Sequence, residues 1–344
     1  MKLRRLGNTG VRVSELCLGA MNFGMADWGV DEKTSQDVIA AYLDAGGNFI
    51  DTADVYSKGI SEEICGRAIR TRRDRVILAT KGHFPVVRKF GEPPEHENAT
   101  GSSRRHLTAA LHDSLRRLAT DYIDLYQVHC WDDHTPIEET LSTLNDFVRS
   151  GNVRYVGLSN YDAWQIAECR HLCMRWNWEP FVTAQMQYSL ACRDIETAVV
   201  PVCQRYGIGI LPWSPLGGGV LSGKYGRDLR GPKDSRFGET PDEANVWRKQ
   251  FINNRNLDIV DAVKAVAEEL RSTPTAVALN WVLHRPAVSS VIIGPKSVAQ
   301  LRDNLSACEL SLSPEQRQRL DEISALSPTY PHQFISKTAR NREE

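Results

Sequence analysis

RVILATK (residues 75–81) is a short, unbroken apolar run that ends on a lysine. A strand with one wet face alternates apolar and polar residues, whereas a continuous apolar run suits a parallel strand covered on both faces. SRRHLTAALHDSLRRL follows at Ser103–Leu118. Its Leu107, Leu111, Leu115 and Leu118 recur at the spacing of a single helical stripe. IDLYQVH (Ile123–His129) then supplies a second strand. This β–α–β reading extends in both directions. Strands are predicted at Leu16–Gly19, Phe49–Asp51, Val76–Thr80, Ile123–His129, Val153–Ser159, Val182–Gln185, Gly209–Pro212 and Val291–Ile293. Helices fall near Asp31–Ala45, Ser61–Ile69, Ser103–Leu118, Ile137–Ser150, Asp162–Trp176, Asp194–Tyr206, Asn256–Leu270, Thr275–Leu283 and Ser297–Leu305. Eight such units without a linker predict an α/β protein of one domain over residues 1–344, a closed (β/α)8 TIM barrel with its core at about 3–320. The rival, an open doubly wound sheet, would carry GxGxxG after its first strand, and the chain has no such motif.

Three additions decorate the barrel. MKLRRLGNTGVRV reads as an N-terminal hairpin turning at GNTG, placed to plug the barrel bottom. Leu216–Gln250, rich in Gly, Pro and charge, reads as a long loop after the seventh strand. A C-terminal helix starts at Ser313-Pro314, and the tail after Ser327 shows no apolar stripe. At 41% apolar and 25% charged residues, the 344-residue chain can bury a large core without staples. A net charge of −1 gives no basic excess for nucleic acid. No run approaches the about 18 apolar residues of a membrane span, and none follows the two N-terminal arginines as a secretory signal would require. The eight cysteines form no CxxC, which suits reduced thiols in a cytoplasmic protein. No HxH follows a strand, so no metal site is expected.

In such a barrel the site lies at the C-terminal strand ends. Asp51, Lys81 and His129 close the second, third and fourth strands, and Tyr56 lies in the loop after Asp51. Each has a plainer reading: a helix cap, a solvated lysine, a core histidine, a packed tyrosine. Their placement on consecutive strands favours a shared site. The types suit carbonyl reduction, which adds hydride to carbon and a proton to oxygen. A tyrosine is a proton reservoir at neutral pH, and an adjacent ammonium lowers its pKa. Asp51 would keep Lys81 charged and aimed, and His129 would direct the substrate oxygen.

The chain resembles the aldo-keto reductase superfamily over Leu3 to Leu320. The motifs that carry this are FIDTADVY (Phe49–Tyr56), ATKG (Ala79–Gly82), DYIDLYQVHCWD (Asp121–Asp132), VGLSN (Val156–Asn160), Gln185 in AQMQYSL, WSPLGGGVLSGKY (Trp213–Tyr225) and IIGPKSVAQLRDN (Ile292–Asn304). The WSPL…SGKY stretch is most similar to the branch holding potassium-channel β subunits and microbial reductases. The resemblance implies a catalytic tetrad of Asp51, Tyr56, Lys81 and His129, with NADPH as cofactor. It implies nicotinamide contacts from Ser159, Asn160 and Gln185, with Trp213 stacking on the ring. Ala20, Met21 and Asp51 would lie nearby. Ser214, Leu216 and Gly218 would hold the pyrophosphate, with Lys224 and Arg236 as cations over the phosphates. Gly294, Lys296, Gln300, Asp303 and Asn304 would bind the adenosine 2'-phosphate end, Asp303 standing where a Glu is usual.

The partner is a small carbonyl compound. Asn22, Trp28, His83, Phe84 and Trp131 are expected to line its pocket with Tyr56 and His129, a partly apolar cleft with a few polar anchors. The sequence does not choose the substrate, the direction of reaction or the oligomeric state. A regulatory or redox-sensing subunit that binds NADPH but turns over slowly is the alternative, since such subunits keep the tetrad. A Schiff-base lyase would need a neutral Lys81, which Asp51 opposes.

Overall fold

The computed structural model describes residues 1–344 except 26–27, 88–91, 229, 234, 239–244, 328 and 341–344. Strands β1 (Leu3–Arg5) and β2 (Arg12–Ser14) form an antiparallel hairpin. β3 (Leu16–Gly19), β4 (Phe49–Asp51), β5 (Ile77–Gly82), β6 (Ile123–Val128), β7 (Val153–Ser159), β8 (Thr183–Gln187), β9 (Gly209–Trp213) and β10 (Val291–Ile293) form one parallel sheet in the order β10-β3-β4-β5-β6-β7-β8-β9. Its two ends meet at a parallel bridge between Ile210 and Val288, where Ile210 N donates to Ala287 O (2.7 Å) and Ser289 N to Ile210 O (3.0 Å). Helices fill each connection, so the architecture is the (β/α)8 barrel that the alternation of strand and helix predicts.

Two segments differ from the sequence reading. The helix expected over Asp194–Tyr206 is a 3-10 turn at Asp194–Glu196 followed by a helix at Val199–Tyr206. Pro201 has no N–H for a partner four residues back, so the helix begins where that loss falls in its first turn. The tail carries a further helix, His332–Arg340, with Phe334 and Ile335 exposed. In the long loop, a 3-10 turn at Gly217–Ser222 and a helix at Val246–Phe251 lie among the described residues.

The hairpin plugs the barrel bottom as expected. Leu6 and Val13 pack with Cys17, Phe49, Ala79, Leu125, Leu211 and Ile292 in one buried cluster inside the sheet. Gly7 permits this closeness: its φ is +56° and a Cβ there would lie 2.3 Å from Val182 O. Strand side chains alternate between faces, so the next inward positions are two residues further on. Phe49, Ala79, Leu125 and Leu211 are thus followed inward by Asp51, Lys81, Gln127 and Trp213. The apolar floor gives way to a polar layer at the C-terminal strand ends.

Candidate active site

The polar layer is a connected network. Lys81 Nζ donates to Asp51 Oδ2 (2.6 Å), Thr52 O (2.7 Å) and Tyr56 Oη (3.2 Å). Gln127 Nε2 and Gln185 Nε2 both donate to Asp51 Oδ1 (2.9 Å each), and Gln185 Nε2 also reaches Gln127 Oε1 (3.2 Å). The Lys81 and Asp51 side chains are only 0% and 3% exposed, so this ion pair is shielded from water. Burial alone would pull the Lys81 ammonium down, but Asp51 and Tyr56 outweigh it and its pKa rises to about 12. Lys81 therefore stays charged at neutral pH, against the lyase reading.

Tyr56 and His129 are the half-buried members. Tyr56 opens a tight turn in which Ser57 and Lys58 take φ of 49° and 58°, tied down by Ser57 Oγ donating to Phe23 O (2.8 Å). Burial raises the Tyr56 pKa, and the Lys81 ammonium opposes that rise without reversing it. The lowering expected from Lys81 is therefore present but outweighed, because desolvation of a phenolate costs more than this one charge returns. The His129 ring packs edge-on to Tyr56, with ring centroids 5.7 Å apart. Burial, reinforced by Lys81 and His83, holds His129 well below its usual pKa, as a neutral imidazole.

The expected nicotinamide contacts lie on the next strands. Ser159 Oγ donates to Gln185 O (2.9 Å), and Asn160 Nδ2 to His129 O (2.9 Å). Trp213 Nε1 donates to Asn160 Oδ1 (3.2 Å), which fixes the indole at the rim. The Gln185 amide is engaged within the polar layer. Ala20 is buried, its N–H bonded to Asp51 O (2.8 Å), and Met21 is partly exposed beside it.

After β9 the chain makes a left-handed cradle. Ser214, Gly217, Gly218 and Gly219 all have positive φ, and the Gly218 N–H donates to Ser214 Oγ (3.1 Å). Leu216 O accepts from Gly219 N (3.0 Å) at the same turn. Arg236 and Lys296 both lie over the Trp28 indole, 5.0 and 5.5 Å from a ring centroid. Crowding by the protein and then Lys296 push the Lys224 pKa down, and burial lowers that of Arg236. Neither Lys224 nor Arg236 has an ion-pair partner among the described residues. Past β10, a Cβ on Gly294 would meet nothing within 4 Å. Lys296 N donates to Gln300 Oε1 (2.8 Å), Asn304 is buried, and Asp303 Oδ1 accepts from Thr273 Oγ1 (2.7 Å).

The pocket expectations divide. Phe84 packs 5.0 Å from His129 and 4.8 Å from His83, so these rings share a wall with Tyr56. Trp131 stands on the rim, held by Nε1 donating to Asp133 Oδ1 (2.6 Å) and by edge contacts with Tyr161 and Trp164. Trp28 lies against the cations Arg236 and Lys296. Asn22 is buried, and its Nδ2 donates to Pro295 O (3.1 Å), which joins two loops. Two residues escaped the sequence reading. Gln127 pairs in register with Lys81, a position that strand alternation could have flagged. Trp247 packs 6.0 Å from Trp213 on the helix within the long loop, where periodicity gives no signal.

A closed parallel barrel with a buried Lys–Asp pair beneath a tyrosine and a neutral histidine defines a (β/α)8 oxidoreductase. The aldo/keto reductase family model matches residues 15–325. The uncharacterized oxidoreductase YrpG of Bacillus subtilis is 36% identical over 331 residues, covering 94% of this chain and 96% of that one. An aryl-alcohol dehydrogenase (NADP(+)) of Phanerodontia chrysosporium is 33% identical, covering 94% and 86%. A putative voltage-gated potassium channel subunit beta of Schizosaccharomyces pombe is 32% identical, covering 94% of each. The chain belongs to the aldo/keto reductase family. No helix among the described residues is long and apolar enough to cross a membrane.

Proposed function

We propose that this protein reduces an aldehyde or ketone to the alcohol, reversibly, with NADPH as reductant and Tyr56 as the proton donor. The observation that carries the reading is the charged Lys81, enclosed with Asp51 and 3.2 Å from the Tyr56 hydroxyl. The nicotinamide, when bound, supplies hydride to the carbonyl carbon. Tyr56 gives its proton to the carbonyl oxygen, and Lys81 stabilises the phenolate left behind. His129, a neutral donor on the same wall, holds the substrate oxygen toward Tyr56.

The residues present fit this cofactor. The positive-φ turn at Ser214–Gly219 presents backbone without side chains beside a cation, since a Cβ on Gly219 would lie 2.8 Å from Lys224 Nζ, and this suits a phosphate. Lys224, Arg236 and Lys296 bring three cations to one side of the mouth, which suits a ligand carrying a third phosphate. Ser159, Asn160 and Gln185 carry donors and acceptors suited to an amide, and Asn160 is bonded to the Trp213 indole. The NADP(+) in the name of the Phanerodontia relative agrees with this choice. We place the protein in the cytoplasm, where its unpaired cysteines would stay reduced.

The test is a carbonyl-substrate screen, 4-nitrobenzaldehyde first, followed by NADPH absorbance beside Tyr56→Phe. We expect steady turnover, a loss of about 10²-fold or more in kcat for the variant, and NADPH binding within about twofold of wild type. Wild-type kcat in Tyr56→Phe would refute the role of Tyr56. The similarity to a channel β subunit supports one alternative, a cofactor-binding subunit; tight NADPH binding with only slow single-turnover oxidation would favour it.

A further inference from the structure

Beneath the loop that carries Tyr56 lies a second group of ionisable side chains, which the scheme above does not use. Asp54 stands between Asp51 and Tyr56, and its N–H donates to Lys81 O (3.2 Å). Its side chain is buried, 1% exposed, and no side chain among the described residues bonds either carboxylate oxygen, the backbone of Val55 being the one hydrogen-bonding group beside it. The other buried polar side chains of this loop are satisfied: Thr52 and Ser61 share a hydroxyl contact of 2.8 Å, and Ser61 donates to Ala20 O (2.7 Å).

The groups that face Asp54 come from four elements. They are Glu62 on helix Ile60–Ile69, Arg117 on helix Arg104–Leu118, Lys81 on β5 and Tyr126 on β6. Both cations are engaged elsewhere. Arg117 Nε pairs with Glu62 Oε2 at 2.6 Å, and Glu62 Oε1 also accepts from Thr80 Oγ1 (2.5 Å). Lys81 is committed to Asp51, Thr52 and Tyr56. The Tyr126 hydroxyl is likewise buried and without a partner among the described residues. It lies against Gly82, where a Cβ would sit 2.2 Å from it. Asp54 and Tyr126 thus flank the same Lys81–Gly82 peptide.

An ionised carboxylate enclosed this way, beside a second carboxylate and without a free counter-charge, is strongly penalised; the protonated acid is not. We propose that Asp54 is a positioning residue that acts as a neutral carboxylic acid, bracing the Tyr56 loop through the Val55 N–H and leaving Asp51 as the one carboxylate that holds Lys81. Burial, followed by Glu62, raises the Asp54 pKa well above the carboxylate range, while Arg117, the Val55 N–H and Lys81 oppose the rise. An Asp54 anion would compete for the Lys81 ammonium and raise the proton affinity of Tyr56 further. The inference rests on Tyr56 being the proton donor.

The test compares Asp54→Asn and Asp54→Leu in the full chain, with NADPH and 4-nitrobenzaldehyde. Asp54→Asn is neutral and isosteric, so kcat should stay within about threefold of wild type and the alkaline limb of kcat/KM should not move. Asp54→Leu should lower kcat about tenfold with NADPH binding within about twofold. A shift of that limb toward acid by about one pH unit in Asp54→Asn would show that a real negative charge had been removed, and would overturn the proposal. So would unchanged kcat in Asp54→Leu. A wild-type protein that turns over no carbonyl would instead sink the Tyr56 assignment. The protonation of Asp54 then stands or falls by infrared difference spectra. A protonated-carboxyl stretch at neutral pH, present in wild type and lost in Asp54→Asn, is the expected result, and its absence refutes the neutral acid.

Discussion

Replacing Asp51 by Asn tests the centre of the site most directly. Three donors converge on this carboxylate: Lys81 Nζ on one oxygen, and the Gln127 and Gln185 amides on the other. An Asn side chain keeps one acceptor and adds an NH2 group. In either orientation it sets donor against donor, toward the ammonium or toward both amides. The Lys81 charge then loses its counter-ion where its exposure is 0%. Breaking a buried pair from one side costs about 3–5 kcal/mol, because the remaining charge is left uncompensated. For a chain of this size, that is a fall in Tm of roughly 4–7 °C. Without Asp51, burial would pull the Lys81 pKa down from about 12, so the ammonium beside Tyr56 is weakened too. We expect kcat to fall by about 10²-fold or more, while NADPH binding changes much less. The assay pairs thermal and urea unfolding with steady-state kinetics, run as a cycle with Lys81→Met. The double variant should be less destabilised than the sum of the singles, since removing the lysine removes the unpaired charge. Destabilisation under about 1 kcal/mol in Asp51→Asn, or additivity within about 0.5 kcal/mol, would refute the reasoning.

Three other outcomes are expected. Lys296→Met should raise the Kd for NADPH by about tenfold while barely changing that for NADH, as isothermal titration would show; equal effects on both would remove Lys296 from the 2'-phosphate. Gly218→Ala forces a side chain into φ of +65°, with its Cβ 2.7 Å from the Phe237 ring, so NADPH binding should weaken and Tm should fall; an unchanged Kd would argue against the cradle. Burial, against a smaller opposing pull from Asp132, lowers the His83 pKa to about 4 from an ordinary 6.5. Its stabilising contribution is therefore full above pH 6.5 and is lost as pH falls toward 4, because the unfolded chain binds the proton first. A His83→Asn variant whose unfolding free energy declines as steeply as wild type across that window would show that His83 is not responsible.

The fold and the four central residues were legible in the chain because both depend on short-range order. RVILATK and IDLYQVH carry their own strand periodicity, and a barrel strand delivers its last inward residue to the open end whatever its neighbours are. Asp51, Lys81 and His129 therefore announce themselves by position, with Tyr56 one loop away. The hairpin plug was readable from GNTG in the same way. Where the sequence was silent, the deciding contacts join residues far apart along it. Gln127 becomes a ligand of Asp51 only because register sets it beside Lys81. Trp28 joins Arg236 and Lys296 because three separate loops meet, and Asn22 is bonded to Pro295 across two loops. The proton affinity of Tyr56 is the clearest division. The sequence determined that a lysine stands near it and in which direction that charge acts. Only the packed structure decided that burial outweighs the lysine, because desolvation depends on the summed enclosure by every surrounding element and is carried by no local motif.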